Sequence, residues 1–140
     1  MQLKFHIEGG NFTKAGFASS EVKKYLRKIN ISNETIKRIV IAMYEAEVNV
    51  VAHAYEGEIL VNIDSKKVDI SVIDKGPGIE DIELAMKEGF STASQKVREM
   101  GFGAGMGLSN IKRNANEFII KSQPGEGTSL NIIVYLNNVN

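Results

Sequence analysis

The stretch 58–74, EILVNIDSKKVDISVID, decides the architecture. Ile59, Val61 and Ile63 alternate with polar neighbours, Ser65-Lys66 turns the chain, and Val68, Ile70 and Val72 resume the alternation. Period-2 patterning on both sides of a short turn predicts two paired antiparallel strands, each with one apolar face. Such a face needs a partner layer, and the preceding residues supply one. The run 34–55, ETIKRIVIAMYEAEVNVVAHAY, contains neither proline nor glycine. Ser32-Asn33-Glu34 is suited to cap a helix that continues for about six turns.

Further upstream, Leu3, Phe5 and Ile7 predict an opening strand ended by Gly9-Gly10, and a first helix is expected around Thr13 to Lys28. Downstream, IEDIELAMKEGF (79–90) predicts a short helix. The stretch STASQKVREMGFGAGMG (91–107), with four glycines, predicts a mobile loop. A helix, GLSNIKRNANE, and two strands, EFIIKSQ and TSLNIIVYL, joined at Pro124-Gly125-Glu126-Gly127, complete the chain. Consecutive strand pairs interspersed with helices define an α+β class. We expect a two-layer sandwich with an antiparallel or mixed sheet and helices on one face.

Length and composition narrow the function. At 140 residues the chain suits a single domain spanning 1–140. Seventeen basic and seventeen acidic residues cancel, so no long-range field draws it to nucleic acid or an anionic membrane. There is no cysteine, which removes disulfides and thiolate metal sites. The start, MQLKFHIEGG, has no apolar core of a signal peptide, and no later stretch reaches the roughly 20 apolar residues of a membrane span. A cytoplasmic location is expected.

Three stretches carry chemistry. On the long helix, Glu45 and Asn49 are four residues apart and point to one side, with Arg38, Ala42, Ala52 and Glu56 near that direction. Ile36, Val40, Met43, Tyr44 and Val51 point to the other. An amide oxygen is a hard ligand for magnesium, and a carboxylate can orient or deprotonate a hydroxyl. The plainer alternative is an ordinary solvated helix face. Glu47 falls among the apolar directions, where only an edge position or a protein contact would suit it. Second, Asp74-Lys75-Gly76-Pro77-Gly78-Ile79 follows directly on a strand. Its carboxylate can accept from an exocyclic amine such as adenine offers, and the glycines let a planar ligand approach the backbone. The same residues also make a good strand-ending turn. Third, Gly101-Phe102-Gly103-Ala104-Gly105-Met106-Gly107 runs into a helix, so backbone N–H groups can converge on an anion, phosphate being the natural candidate. Neither the P-loop nor the dinucleotide pattern fits, since no Gly-Lys-Ser/Thr follows and a polar loop precedes. His6 and His53 lack a third ligand at zinc spacing, and no Ser-His-Asp set is legible.

Taken together and in this order, the stretches resemble the nucleotide-binding boxes of the GHKL superfamily of gyrase, heat-shock chaperone, histidine kinase and mismatch-repair ATPases. Within it, EAEVNVVAHAY (45–55), DKGPGI (74–79), GFST (89–92), GAGMGL (103–108) and GEGTSL (125–130) are most similar to the anti-sigma factor serine kinases and related switch kinases. The resemblance implies the Bergerat arrangement, a mixed, largely antiparallel sheet covered on one face by helices, with ATP between helix and lid. It implies that Asn49 ligates Mg2+ and that Glu45 activates the attacking hydroxyl. Asp74 would hold the adenine amino group, Gly76, Gly78 and Ile79 would shape its pocket, and Thr128 would reach the adenine edge through water. His53, one turn beyond Asn49, would lie near the pocket or be merely structural. Phe90, Ser91 and Thr92 would open the lid, and Gly101, Gly103, Gly105, Met106, Gly107 and Leu108 would wrap the phosphates.

One departure stands out. Several anti-sigma kinases place an arginine just before the glycine-rich turn, where this chain has Gly103-Ala104. Arg98 is the nearest substitute, and GFST with GFGAG leans toward the switch-kinase branch. The implied function is a serine/threonine kinase acting on a small STAS-type antagonist and governing a sigma factor or phosphatase partner, with a homodimer compatible. The alternatives are a non-catalytic switch in which ATP orders a docking surface, and slow ATP hydrolysis. A histidine kinase fragment fits less well, because no dimerisation helix with a phosphoacceptor histidine is legible.

Overall fold

A computed structural model describes residues 1–87 and 107–136. The elements run β1 (Gln2–Glu8), a 3-10 turn (Phe12–Lys14), α1 (Phe17–Lys28), α2 (Asn33–His53), β2 (Glu56–Ile63), β3 (Lys67–Lys75) and α3 (Ile82–Ala85), followed by α4 (Gly107–Asn114), β4 (Glu117–Gln123) and β5 (Gly127–Tyr135). The sheet order is β1-β2-β3-β5-β4, and every pairing is antiparallel, the limiting case of the mostly antiparallel sheet expected.

The alternation in 58–74 works as read. Val61 stands opposite Ile70, and Ile70 opposite Ile132, so apolar residues of adjacent strands share one face. Ile59, Val61, Val68, Ile70, Ile132 and Val134 are fully buried there. Against them pack Val22 and Leu26 of α1, Ile39, Met43 and Val50 of α2, and Ile111 of α4, giving two layers. Each such side chain contributes about 1.5–3 kcal/mol by leaving water.

Two local readings are corrected. The first helix begins at Phe17 and not near Thr13, because Gly16 adopts φ 97°, a left-handed conformation that interrupts helical winding. Thr13 falls in the separate 3-10 turn. On α2, Ala42 is fully buried while Tyr44 is exposed, the reverse of the expected sides. Ala42 is buried because α4 packs along α2 and partly covers the stripe that looked solvated. Arg38 Nε donates to Asn114 O (3.1 Å) at the end of α4, and the start of α4 lies beside Glu45, so the two helices run antiparallel.

Glu47 now has an account. It is 1% exposed, and its carboxylate accepts from Gly16 N (2.9 Å), Ala18 N (3.2 Å) and Ser19 N (3.1 Å). Gly16 has no side chain with which to cap α1, so a residue from α2 satisfies the first-turn N–H groups in its place. A carboxylate at this helix start is further favoured by the helix dipole.

Candidate functional site

The site is built where the end of α2 meets the end of β3. Tyr55 N donates to Lys75 O (2.8 Å), and Gly57 stands opposite Asp74 in the ladder. A Cβ on Gly57 would lie 2.9 Å from Val50 Cγ1 and 3.3 Å from Asp74 Cβ, so the turn of α2 that holds Asn49 and Val50 is brought against Asp74. Gly76 is buried, and a Cβ there would lie 2.9 Å from Ala54 Cα and 3.4 Å from His53 O. Gly78 has φ 76°, and a Cβ on it would meet Gln123 O at 2.3 Å. The missing side chains of these glycines therefore serve close chain packing, which fixes the 74–79 segment between α2 and the β4–β5 turn.

Asp74 is half-buried, and its Oδ1 accepts from Thr128 N (3.0 Å). Oδ2 takes no hydrogen bond among the described residues. Burial raises the Asp74 pKa above 3.8, opposed by the Thr128 N–H. Thr128 is buried, and its Oγ1 lies 2.9 Å from Ser122 Oγ. Ser122 also accepts from Ile79 N (2.7 Å) and donates to Gly127 O (3.0 Å). With its single proton given to Gly127, Ser122 can only accept from Thr128, whose hydroxyl lone pairs stay available. Ser122 is thus the node that ties Ile79 to Thr128, and the sequence reading missed it. Its signal was a polar residue at the third inward position of β4, after Phe118 and Ile120.

On the other side, Glu45 and Asn49 are each half-buried on one face of α2. A Cβ on Gly107 would lie 3.3 Å from Glu45 Oε2, so the glycine beginning α4 meets this carboxylate. Burial raises the Glu45 pKa above 4.5, and a hydrogen bond from the Asn110 side chain opposes that rise. His53, half-buried in the last turn of α2, has its pKa lowered by burial. Leu108 is 8% exposed, with its side chain in the core. Thr92, Gly101, Gly103, Gly105 and Met106, together with Phe90, Ser91 and Arg98, lie outside the described residues.

The raised Asp74 pKa has a measurable cost. A carboxyl group whose folded pKa exceeds its unfolded value contributes stability below the unfolded pKa and loses it as pH rises through the folded one. Without nucleotide, Asp74→Asn is therefore expected to melt higher than wild type at pH 7.5 and to lose that advantage near pH 3.8. Thermal melts at the two pH values check it, and an Asp74→Asn protein that melts lower at pH 7.5 contradicts it.

A carboxylate at a strand end, a neighbouring hydroxyl and a helix with a Glu/Asn pair facing a glycine-led helix together suit a nucleoside triphosphate. The chain belongs to the histidine kinase-like ATPase domain family, whose description matches residues 13–134. An anti-sigma F factor of Caldanaerobacter subterraneus subsp. tengcongensis is 34% identical over 141 aligned positions, covering 97% of this chain and 93% of the relative. The serine/threonine-protein kinase RsbT of Bacillus subtilis is 37% identical over 103 positions, 71% of this chain and 71% of the relative. Among solved structures, the RsbU and RsbW domains of a Mycobacterium tuberculosis protein superpose with TM-score 0.64 at 19% identity, over 96% of this chain and 32% of that one. The SiaB–SiaC complex of Pseudomonas aeruginosa gives TM-score 0.62 at 14% identity, over 94% of this chain and 89% of that one. At such identities the structural likeness is one of fold. No helix among the described residues is long and apolar enough to cross a membrane.

Proposed function

We propose that this chain is an ATP-dependent protein serine/threonine kinase of the anti-sigma switch type. It transfers the γ-phosphate of ATP to a hydroxyl of a small STAS-type antagonist and thereby governs a sigma factor or phosphatase partner. The observation that carries the reading is the position of Glu45. Its half-buried carboxylate stands at the start of α4, four residues from Asn49 on the α2 face whose far end meets Asp74.

The residues fit the nucleotide. Asp74 Oδ2 accepts from the adenine amino group, and the Thr128 hydroxyl offers its lone pairs to the adenine edge through water. Half-buried Ile79 gives the base an apolar wall. The backbone of Gly107 and Leu108 lies where the helix start favours phosphate. Asn49 would supply one hard amide oxygen to Mg2+. Mg2+ bound there would neutralise phosphate charge. Glu45 removes the proton of the acceptor serine or threonine as its oxygen bonds to the γ-phosphorus. The bond from that phosphorus to the ADP oxygen breaks, and ADP leaves.

Calorimetry with Mg-ATP tests the binding half. The wild-type chain is expected to bind, and Asp74→Asn to bind about 10- to 100-fold more weakly, because an amide at position 74 would turn N–H groups toward the adenine amine. Labelled Mg-ATP with STAS-domain antagonists tests the transfer half. No heat of binding in the wild type overturns the reading.

A further inference from the structure

We propose that Ser122 determines which base the nucleotide site accepts. By taking the Thr128 hydroxyl proton, it leaves that end of the site with only acceptors to offer, which selects a purine carrying an amine over one carrying a carbonyl. The proposal rests on the nucleotide reading above and goes beyond it, since Ser122 acts through Thr128 and not on the ligand.

The argument is one of counting protons. Ile79 N donates to Ser122 Oγ (2.7 Å), while Gly127 O lies 3.0 Å and Thr128 Oγ1 2.9 Å from the same atom. Two oxygens at such distances need a proton between them. A backbone carbonyl has none to give, so the proton between Ser122 and Gly127 belongs to Ser122. Serine has no second one, and the proton between Ser122 and Thr128 therefore comes from Thr128. With Ile79 N–H and Thr128 O–H both donating to it, the Ser122 oxygen has both lone pairs filled as well.

The consequence falls on Thr128, which is 6% exposed. Its backbone N donates to Asp74 Oδ1 (3.0 Å) and its hydroxyl proton is turned to Ser122, so both of its donors point into the protein. What Thr128 Oγ1 and Asp74 Oδ2 present to a base is lone pairs. An exocyclic amine satisfies such acceptors, directly or through a water that donates to Thr128. A carbonyl oxygen in the same place would face acceptors alone and leave buried polar groups unpaired. The backbone holds this polarity in place. Ser122 stands opposite Thr128 in the β4–β5 ladder, and a Cβ on Gly127 would run into Asp74 O, so the three residues are packed without slack. Without the Ser122 hydroxyl, Thr128 could rotate its own and donate to a carbonyl. The links of Ser122 to Ile79 and Gly127 staple the fold, whereas the link to Thr128 alone carries base selection.

Calorimetry on the full chain tests this by comparing Mg-ATP with Mg-ITP, whose base carries a carbonyl where adenine carries the amine. Wild type is expected to prefer ATP, and Ser122→Ala to lower the ATP-to-ITP preference by about 3- to 10-fold. In a Thr128→Val background, which has no hydroxyl to redirect, Ser122→Ala is expected to leave the preference unchanged. Equal weakening of both nucleotides by Ser122→Ala marks a serine that only staples the fold, and it overturns the proposal while the kinase reading stands. So does a wild type that binds both nucleotides alike. A wild type that binds neither overturns the kinase reading and the proposal together. A second measurement needs no nucleotide. The Thr128 hydroxyl proton, buried and held toward Ser122, is expected as a slowly exchanging NMR resonance close to the Thr128 methyl group, and to be lost to exchange in Ser122→Ala. Its persistence in Ser122→Ala overturns the proposal whatever the affinities.

Discussion

Glu45→Ala is expected to bind Mg-ATP within a few-fold of wild type and to lose phosphotransfer to its protein acceptor by about 10²–10⁴-fold, the range that a positioned general base supplies. The separation follows from where the carboxylate stands. Glu45 lies on the α2 face toward Gly107 and Asn110, whereas adenine recognition is assigned to Asp74 and Thr128 at the other end of the cleft. Removing it deletes an interaction of the transition state more than one of the ground state, so kcat falls while affinity stays. The fold should survive, since burial already disfavours the ionised Glu45 side chain. The wild-type rate carries a matching pH signature. A base must be ionised, and burial sets its pKa above 4.5, so activity is expected to fall as the pH drops through that raised value. Measured transfer by Glu45→Ala at the wild-type rate would remove Glu45 from the chemistry. A chain that binds its protein partners in an ATP-dependent way yet transfers nothing would instead be a docking switch ordered by nucleotide.

The second large effect concerns stability. Glu47→Ala removes the acceptor of the Gly16, Ala18 and Ser19 N–H groups inside the core, at an expected cost of about 2–4 kcal/mol. In a chain of this size that lowers the melting temperature by about 10 °C. Glu47→Gln is nearly the same shape but is expected to rescue only in part, because one carboxylate oxygen becomes an N–H group facing the donors it should accept from. Hydrogen exchange locates the damage, with the amides of Gly16, Ala18 and Ser19 losing protection before those of β3. An Ala variant that melts with wild type would mean that water or the 3-10 turn satisfies the start of α1.

Most of the framework was legible because it is local. Strands β2, β3 and β5 and helix α2 announce themselves by the period of their apolar residues, and Ser32 caps α2 as read, with Thr35 N donating to Ser32 Oγ (3.3 Å). What was not legible depends on distant partners. Gly16 in a helical neighbourhood looks like a weak helix residue until its φ of 97° is known, and Glu47 looks misplaced until α1 is packed beside α2. The Glu45–Asn49 stripe, taken alone, read more readily as an ordinary solvated face, since periodicity says which residues share a side and not what covers it. Ser122 acquires its role only through a contact made across the fold, with Ile79. Asp74 could be named from its surroundings and Thr128 from the family resemblance, but the hydrogen bond joining them spans 54 positions of chain.

Helix α2 is gripped from two sides by its own polar side chains. Glu47 reaches α1, while Arg38 and Glu45 reach α4. Rotation of α2 about its long axis would break both grips at once, so the helix behaves as a fixed axle. A signal entering from a bound protein must then act by displacing what surrounds that axle. Inserting or deleting one residue between positions 38 and 47 would turn these gripping side chains out of phase by about 100°, and this interval should tolerate side-chain changes far better than changes in length.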